Sequence, residues 1–267
     1  MVTPVLDEGA RSALATTRFT DVRWFGEIDS TNRYVLDEAR RGAPAGLVAV
    51  ADHQTAGRGR LGRTWVAPPA SSLLVSVLLR PDLPPGHLHL VSAAVALSTA
   101  DACTLRARVE PELKWPNDLL VGGRKLAGIL AETDLGGTDA VSPLAVVVGV
   151  GINVNWPPEL PGELADTAVA LNHLTGRPVD RTRLLVAALT ALDGRADQLE
   201  SPAGRLALAA EYRRRCSTIG RQVRVDLLDE SFTGQATDLT DEGHLMVDTS
   251  VCLREVSAGD VVHLRPT

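Results

Sequence analysis

The sequence predicts an α+β fold, a mixed sheet with helices packed mainly on one face, followed by a small β-barrel domain. Three observations predict it. Strand candidates come in adjacent runs instead of alternating strictly with helices. The alanine-rich stretch 88–103 is apolar on most faces and reads as a helix buried against a sheet. After Cys216 the texture changes to short strands separated by glycines, five of them in about 50 residues, which is the pattern of a small barrel.

Taken in order, the first stretch of about 20 residues has acids early and no apolar targeting core, and reads as a partly helical or mobile lead-in. Asp29-Ser30-Thr31-Asn32 offers helix caps, and Tyr34, Val35 and Ala39 follow at helical spacing. Residues 47–50 form a short strand candidate. Residues 73–79 form a longer one, bounded by Pro68-Pro69-Ala70-Ser71 and by Pro81. Residues 112–115 read as a strand, and 119–121 with 125–132 as a hairpin around Gly122-Gly123. The run 143–154 is long and apolar enough to sit centrally in the sheet. Residues 181–199 and 203–216 are amphipathic helices, and the barrel strands are 222–228, 232–239, 244–247, 251–256 and 261–264. The domain boundary is expected near Thr218, and no internal repeat or low-complexity segment intervenes.

The chain has 267 residues, 45% hydrophobic and 22% charged, enough to bury a core without staples. Apolar runs such as 144–148 fall far short of the roughly 20 residues that cross a bilayer. A net charge of −6 disfavours general binding to nucleic acid or anionic lipid and favours a small-molecule or protein partner. Cys103, Cys216 and Cys252 are odd in number and widely spaced, which suits a reducing cytoplasm better than a disulfide framework or a zinc site.

Against that acidic background, residues 53–81 contain no Asp or Glu yet carry Arg58, Arg60, Arg63 and Arg80. Within it, Gly57-Arg58-Gly59-Arg60-Leu61-Gly62-Arg63 places guanidinium groups among glycines. The glycines let the backbone approach a ligand, and the arginines offer paired donors to phosphate or carboxylate oxygens. An exposed basic loop, or an arginine-glycine segment for RNA, fits the same residues. Lys114-Trp115-Pro116-Asn117-Asp118 could set an oxygen ligand for a hard cation beside a phosphate-neutralising lysine, or could be turn chemistry after Pro116. Lys125, among Leu126, Ala127, Ile129 and Leu130, should face a wet cavity or an anion. The run Gly149-Val150-Gly151-Ile152-Asn153 fails the dinucleotide fingerprint, since Val154 stands at its last position and no helix follows. Trp65, Trp115 and Trp156 each lie in or beside one of these clusters, placed either to stack on a purine or to pack a core.

In this order and combination the clusters resemble the biotin-protein ligases, over about residues 20–265. The matching stretches are Asp29 to Asn32, Gln54 to Trp65, Lys114 to Asp118, Arg124 to Ile129 and Gly149 to Asn153. The resemblance implies a class II synthetase-like catalytic domain, 1–217, and an SH3-like barrel, 218–267. It implies a two-step reaction: biotin attacks the α-phosphate of MgATP to give biotinyl-5′-AMP, and a lysine of an acyl-CoA carboxylase acceptor domain takes the acyl group. By likeness, Ser30, Thr31, Asn32 and Gln54 contact biotin. Gly57, Arg58, Gly59 and Arg60 form the loop over biotin and the adenylate. Lys125, with Arg58 and Arg60, supplies the catalytic charge. Arg63, Lys114 and Asn117 face ATP, Trp65 and Asn153 its adenine, and Asn117 and Asp118 hold Mg²⁺. The stretch from Gly57 to about Leu74 is expected to be mobile without ligand and to order over the intermediate. With only about 20 residues before the catalytic region, no DNA-binding domain and no specific DNA binding are expected. A lipoate- or octanoate-transferring relative, or an RNA-binding module, are the alternatives.

Overall fold

Two sheets organise the chain, which the computed structural model describes over residues 6–134, 144–160, 162–227, 229–257 and 259–264. The larger is built from β1 (Val22–Ile28), β2 (Val48–Gln54), β3 (Ser72–Leu79), β4 (Glu112–Lys114), β5 (Asp118–Val121), β6 (Arg124–Asp134) and β7 (Ala145–Asn153). Its seven strands run in the order β1-β2-β3-β7-β6-β5-β4. β1 and β2 pair in parallel and every other neighbour is antiparallel, so the sheet is mixed. β7 takes the central place that its apolar run predicts, although Pro143 lies outside the described residues.

The two faces differ because side chains alternate along each strand. Val48, Val50, Val75, Val77, Val148 and Val150 share one core with α3 (His89–Ala107) and α6 (Arg181–Leu199). On the opposite face Ala49, Leu78 and Val147 pack against Val35, Leu36 and Ala39 of α2 (Thr31–Arg40). Helices therefore cover one face broadly and the other only at one end, and the site lies on the part that α2 leaves bare. α1 (Glu8–Leu14) and α7 (Pro202–Arg215) flank α6, and α4 (Gly162–Ala165) and α5 (Leu171–Thr175) are single turns. By length and hydropathy α3 alone among the described helices could cross a membrane, but 72% of that window is buried inside the protein, so its apolarity serves the core.

The smaller sheet contains β8 (Gln222–Asp226), β9 (Ser231–Leu239), β10 (Leu245–Asp248), β11 (Leu253–Val256) and β12 (Asp260–His263), in the order β11-β10-β9-β8-β12. All five expected strands are present, with Leu228 of the first outside the described residues. The expected barrel is not closed by backbone pairing: β11 and β12, four residues each, stand at opposite edges of the sheet. Its own small core, Val223, Val225, Ala236, Leu245, Val247 and Val261, includes Trp115 from the larger sheet. The Trp115 indole donates to Gly243 O at 2.9 Å and its backbone N–H to Thr218 Oγ1 at 3.0 Å, so this tryptophan ties the two sheets together.

Two expectations need correction. β1 was not foreseen, because an edge strand reading Val-Arg-Trp-Phe-Gly-Glu-Ile is mostly half-buried and lacks a clean apolar alternation. The stretch expected to be mobile runs too far: Ser72, Leu73 and Leu74 are buried residues of β3, paired with Asn153, Ile152 and Gly151.

Candidate active site

The site is floored by glycines. Gly149 and Gly151 on β7 and Gly128 on β6 point to the face that α2 leaves uncovered, while Val148, Val150 and Ile152 point into the core between them. A Cβ at Gly151 would stand 2.4 Å from Trp65 Cε2, one at Gly128 2.8 Å from Trp65 Cζ3, and one at Gly149 2.1 Å from Asn32 Oδ1. The glycine pair that fails as a dinucleotide fingerprint is thus a bare surface on which an indole and an amide rest.

One wall is the start of α2. Ser30 is the N-cap, yet its hydroxyl does not close the cap. Gln54 takes that role, its Oε1 accepting from Thr31 N at 2.7 Å, with Thr31 Oγ1 at 3.0 Å. Beneath them Ser76 of β3 is fully buried, its Oγ 2.6 Å from Asn32 Oδ1 and 2.7 Å from Thr31 Oγ1. Ser76 shares its one proton between the Asn32 amide oxygen and the Thr31 hydroxyl, and the Thr31 hydroxyl donates to Gln54. The Asn32 amide donates to Leu130 O at 3.1 Å and to Glu132 Oε2 at 2.8 Å. Thr31, Asn32 and the Gln54 carbonyl are each held by a neighbour, and with Ser30 at the cap they form one polar end.

The roof is a hairpin. Gly59 N donates to Arg63 O at 2.7 Å and Trp65 N to Gly57 O at 3.0 Å, and Arg58 bridges Thr64. Gly57 has no room for a side chain, since a Cβ would meet Trp65 O at 2.4 Å. Arg58 pairs with Glu132 at 2.8 Å, Arg63 pairs with Asp260 of β12, and Arg60 reaches Gly259 O at 3.5 Å. Burial disfavours the charged form of the Arg60 guanidinium, so an incoming anion would stabilise it.

The opposite end carries Lys125, whose Nζ lies 2.6 Å from Asp118 Oδ1 and 5.6 Å from the Trp65 ring centroid. Asn117 donates its amide to Ile129 O at 2.8 Å. Ser30, Thr31, Asn32, Gln54, Arg58, Gly59, Arg60, Arg63, Trp65, Asn117, Asp118 and Lys125 line one cavity of about 140 Å³. Three of the sequence candidates do not line it. Gly57 is at the base of the hairpin, paired with Trp65. Lys114 stands across the β4–β5 ladder from Asp118, its pKa lowered by burial. Asn153 is buried and gives its amide to Lys125 O and Val169 O, which makes it a brace between strands. Trp156 is likewise a core residue, bonded to Ser72 Oγ at 2.8 Å. Ser76, Glu132 and Asp260 were missed, each far in sequence from the group it holds. The alternation of valine and glycine along β7 was the one signal that could have revealed the floor.

Residues 24–153 match the biotin/lipoate A/B protein ligase family, and residues 218–264 the biotin protein ligase C terminal domain. The chain is 41% identical to a biotin-acetyl-CoA-carboxylase ligase of Mycobacterium tuberculosis over 245 residues, 90% of this chain and 87% of that one. This chain belongs to the biotin protein ligase family. Its activity is that of a biotin-acetyl-CoA-carboxylase ligase. The bifunctional ligase/repressor BirA of Bacillus subtilis is 31% identical over 88% of this biotin ligase chain and 71% of its own. Among solved structures, a biotin protein ligase from Aquifex aeolicus in complex with biotin and ATP superposes with a TM-score of 0.77 at 28% identity, covering 93% of this chain and 100% of that one.

Proposed function

We propose that this cavity binds biotin and MgATP, joins them as biotinyl-5′-AMP, and presents the acyl group to a lysine of a carboxylase acceptor domain. The observation that carries the reading is the polarity of one small cavity: fixed hydroxyls and amides at the α2 end, cations at the Lys125 end, and a bare glycine floor between. The polar end, with Ser30, Thr31, Asn32 and Gln54, suits the uncharged ureido ring. The cationic end, with Lys125 and Arg60, suits the carboxylate and α-phosphate, which repel each other until a positive, pre-arranged site holds them in line. The roof hairpin would keep water from the mixed anhydride.

Magnesium enters with the triphosphate. Among the described residues no three His, Cys, Asp or Glu side chains cluster as a metal cage, which fits an ion that keeps its waters and phosphate ligands and takes one carboxylate. Asp118 and Asn117 would hold it, the latter through Oδ1, since its amide is committed to Ile129. There it would neutralise phosphate charge. Trp65 belongs to the ATP side of the same reading, whereas Arg63 is engaged by Asp260, Lys114 stands outside the cavity and Asn153 is a brace. The catalytic unit is 1–217 and an SH3-like domain 218–267, working in a reducing compartment such as the cytoplasm, which the three unpaired cysteines support. No specific DNA binding is proposed. An RNA-binding role for the arginine loop is disfavoured, because Glu132 and Asp260 already engage two of its guanidinium groups.

Biotin-dependent exchange of pyrophosphate into ATP tests this. Wild type exchanges only with biotin present, and Lys125→Ala loses about 100- to 1,000-fold, the cost of deleting one pre-arranged charge at a reacting centre. No exchange by wild type overturns the function, and equal exchange by Lys125→Ala overturns the role of that lysine.

A further inference from the structure

The three arginines of the roof hairpin are not equivalent. Arg58 is held by Glu132 of β6 at 2.8 Å and Arg63 by Asp260 of β12, one on each sheet. Arg60, between them, has no carboxylate within ion-pair distance among the described residues. The hairpin is tied at both ends, and its middle guanidinium carries the unbalanced charge into the cavity.

The tie to the smaller sheet is built from the backbone outward. Gly259 has φ +156°, a conformation that L side chains rarely adopt, and a Cβ there would stand 3.2 Å from Asp226 O, so glycine suits the approach to β12. That turn aims Gly259 O at Arg60 and starts β12 at Asp260, which is fixed in the ladder opposite Asp226. The Asp260 side chain is 27% exposed against 69% for Arg63, so the carboxylate is the fixed post and the arginine the movable partner. Asp260 also lines the cavity.

We propose that Asp260 is a positioning residue for the ligation reaction: by holding Arg63 it latches the roof onto the smaller sheet, keeps the cavity covered while the acyl adenylate is bound, and leaves Arg60 to meet the ligand's anionic group. This rests on the function proposed above. It deepens that reading by giving the C-terminal sheet a part in retaining the intermediate. When the ligand draws Arg58 away from Glu132, the Asp260 tie still holds the roof.

The test compares Asp260→Asn, Arg63→Ala and the exchanged pair Arg63→Asp with Asp260→Arg in the full chain. One readout needs no chemistry: the rate at which thermolysin cuts the ligand-free protein before Leu61, which is 60% exposed. The other is AMP formed from biotin and MgATP without acceptor, which counts intermediate lost to water. Each single variant raises both rates about two- to fivefold, the range for an ion pair with one partner mostly in water. The exchanged pair returns both to within about twofold of wild type, a rescue that damage to packing would not show. Wild-type rates in both single variants, or an exchanged pair as leaky as either, overturn the latch. If wild type shows no biotin-dependent exchange of pyrophosphate into ATP, the proposed function fails, and the protease comparison still decides the latch.

Discussion

Replacing Gly149 by Ala should separate activity from folding, because the added methyl meets the site and nothing else. Gly149 lies in the middle of the central strand, opposite Ser76 on one side and Leu130 on the other, so the backbone cannot retreat. No left-handed φ is needed there, and alanine brings no backbone strain. The new Cβ would stand 2.1 Å from Asn32 Oδ1 and 2.9 Å from Cγ, so Asn32 must withdraw. Doing so breaks its bonds to Ser76 at 2.6 Å, Leu130 O at 3.1 Å and Glu132 at 2.8 Å. Overpacking of this kind costs about 1–3 kcal/mol. At roughly 2–4 °C per kcal/mol for a chain of this size, Tm falls by several degrees and the protein still folds. A displacement of about 1 Å at a positioned group costs on the order of 100-fold in rate. Pyrophosphate exchange with varied biotin, alongside a thermal melt, reads both. Gly194→Ala is the control: it sits exposed in α6 with nothing within 4 Å of a new Cβ, so Tm rises slightly and exchange is unchanged. A Gly149→Ala protein with wild-type exchange and an unchanged KM for biotin refutes the glycine-floor account.

Two further outcomes follow from buried titratable groups. Burial, and then the nearby Lys114 and Arg221, lowers the His263 pKa to about 4, and burial likewise lowers His89 to about 4. Both lie below the ordinary value, so the unfolded chain binds the proton more tightly. The stabilisation is present above about pH 6.5 and is lost as pH falls toward 4, on the order of 1 kcal/mol for each half-exposed ring. Melting wild type and His263→Gln between pH 7 and 4.5 checks the sign: wild type loses stability more steeply, and parallel curves contradict the assignment. The cysteines should divide in the same way, since Cys252 is exposed while burial pushes the Cys103 thiol up to about 12 and the Cys216 thiol upward. A chromogenic disulfide should titrate one thiol rapidly in the native protein and three after unfolding; fast reaction of Cys103 would contradict its burial.

Local pattern made much of this fold legible. Residues 181–199 were predicted as a helix and are one, because Asp180 caps it and its apolar residues repeat at helical spacing. The Gly122-Gly123 hairpin was equally plain, both glycines taking positive φ between β5 and β6. β1 escaped because an edge strand needs only one buried side chain, Trp24, to hold its register. Most of the motif residues line one cavity, with Gly57, Lys114 and Asn153 outside its lining, and the groups that hold them do not announce themselves. Ser76 is 44 positions from Asn32, Glu132 is 74 from Arg58, and Asp260 is 197 from Arg63. A single polar residue in a strand carries no periodic signal, so only the fold reveals which partner it serves. Trp115 is the reverse case: a conspicuous residue in a site motif whose ring packs the other sheet's core.

The acid-free arginine stretch looks in sequence like an open positive patch, and the fold largely cancels it. Glu132 engages Arg58, Asp260 engages Arg63, and Asp118 engages Lys125, all from elements outside the stretch. A bare cluster of cations would attract any small anion, whereas a cluster already paired yields only to a ligand that satisfies the cations together and also fills the polar end. Selectivity for a carboxylate joined to a nucleotide thus starts with the resting pairs, which a lone phosphate gains little by displacing. The pairs differ in their response to salt as well. The Arg63 and Arg58 side chains are substantially exposed, so ionic strength screens the ties that hold the roof. The floor rests on buried β3 and β7, where screening has nothing to act on. Raising salt should therefore loosen the cover over the site well before it disturbs the sheet beneath.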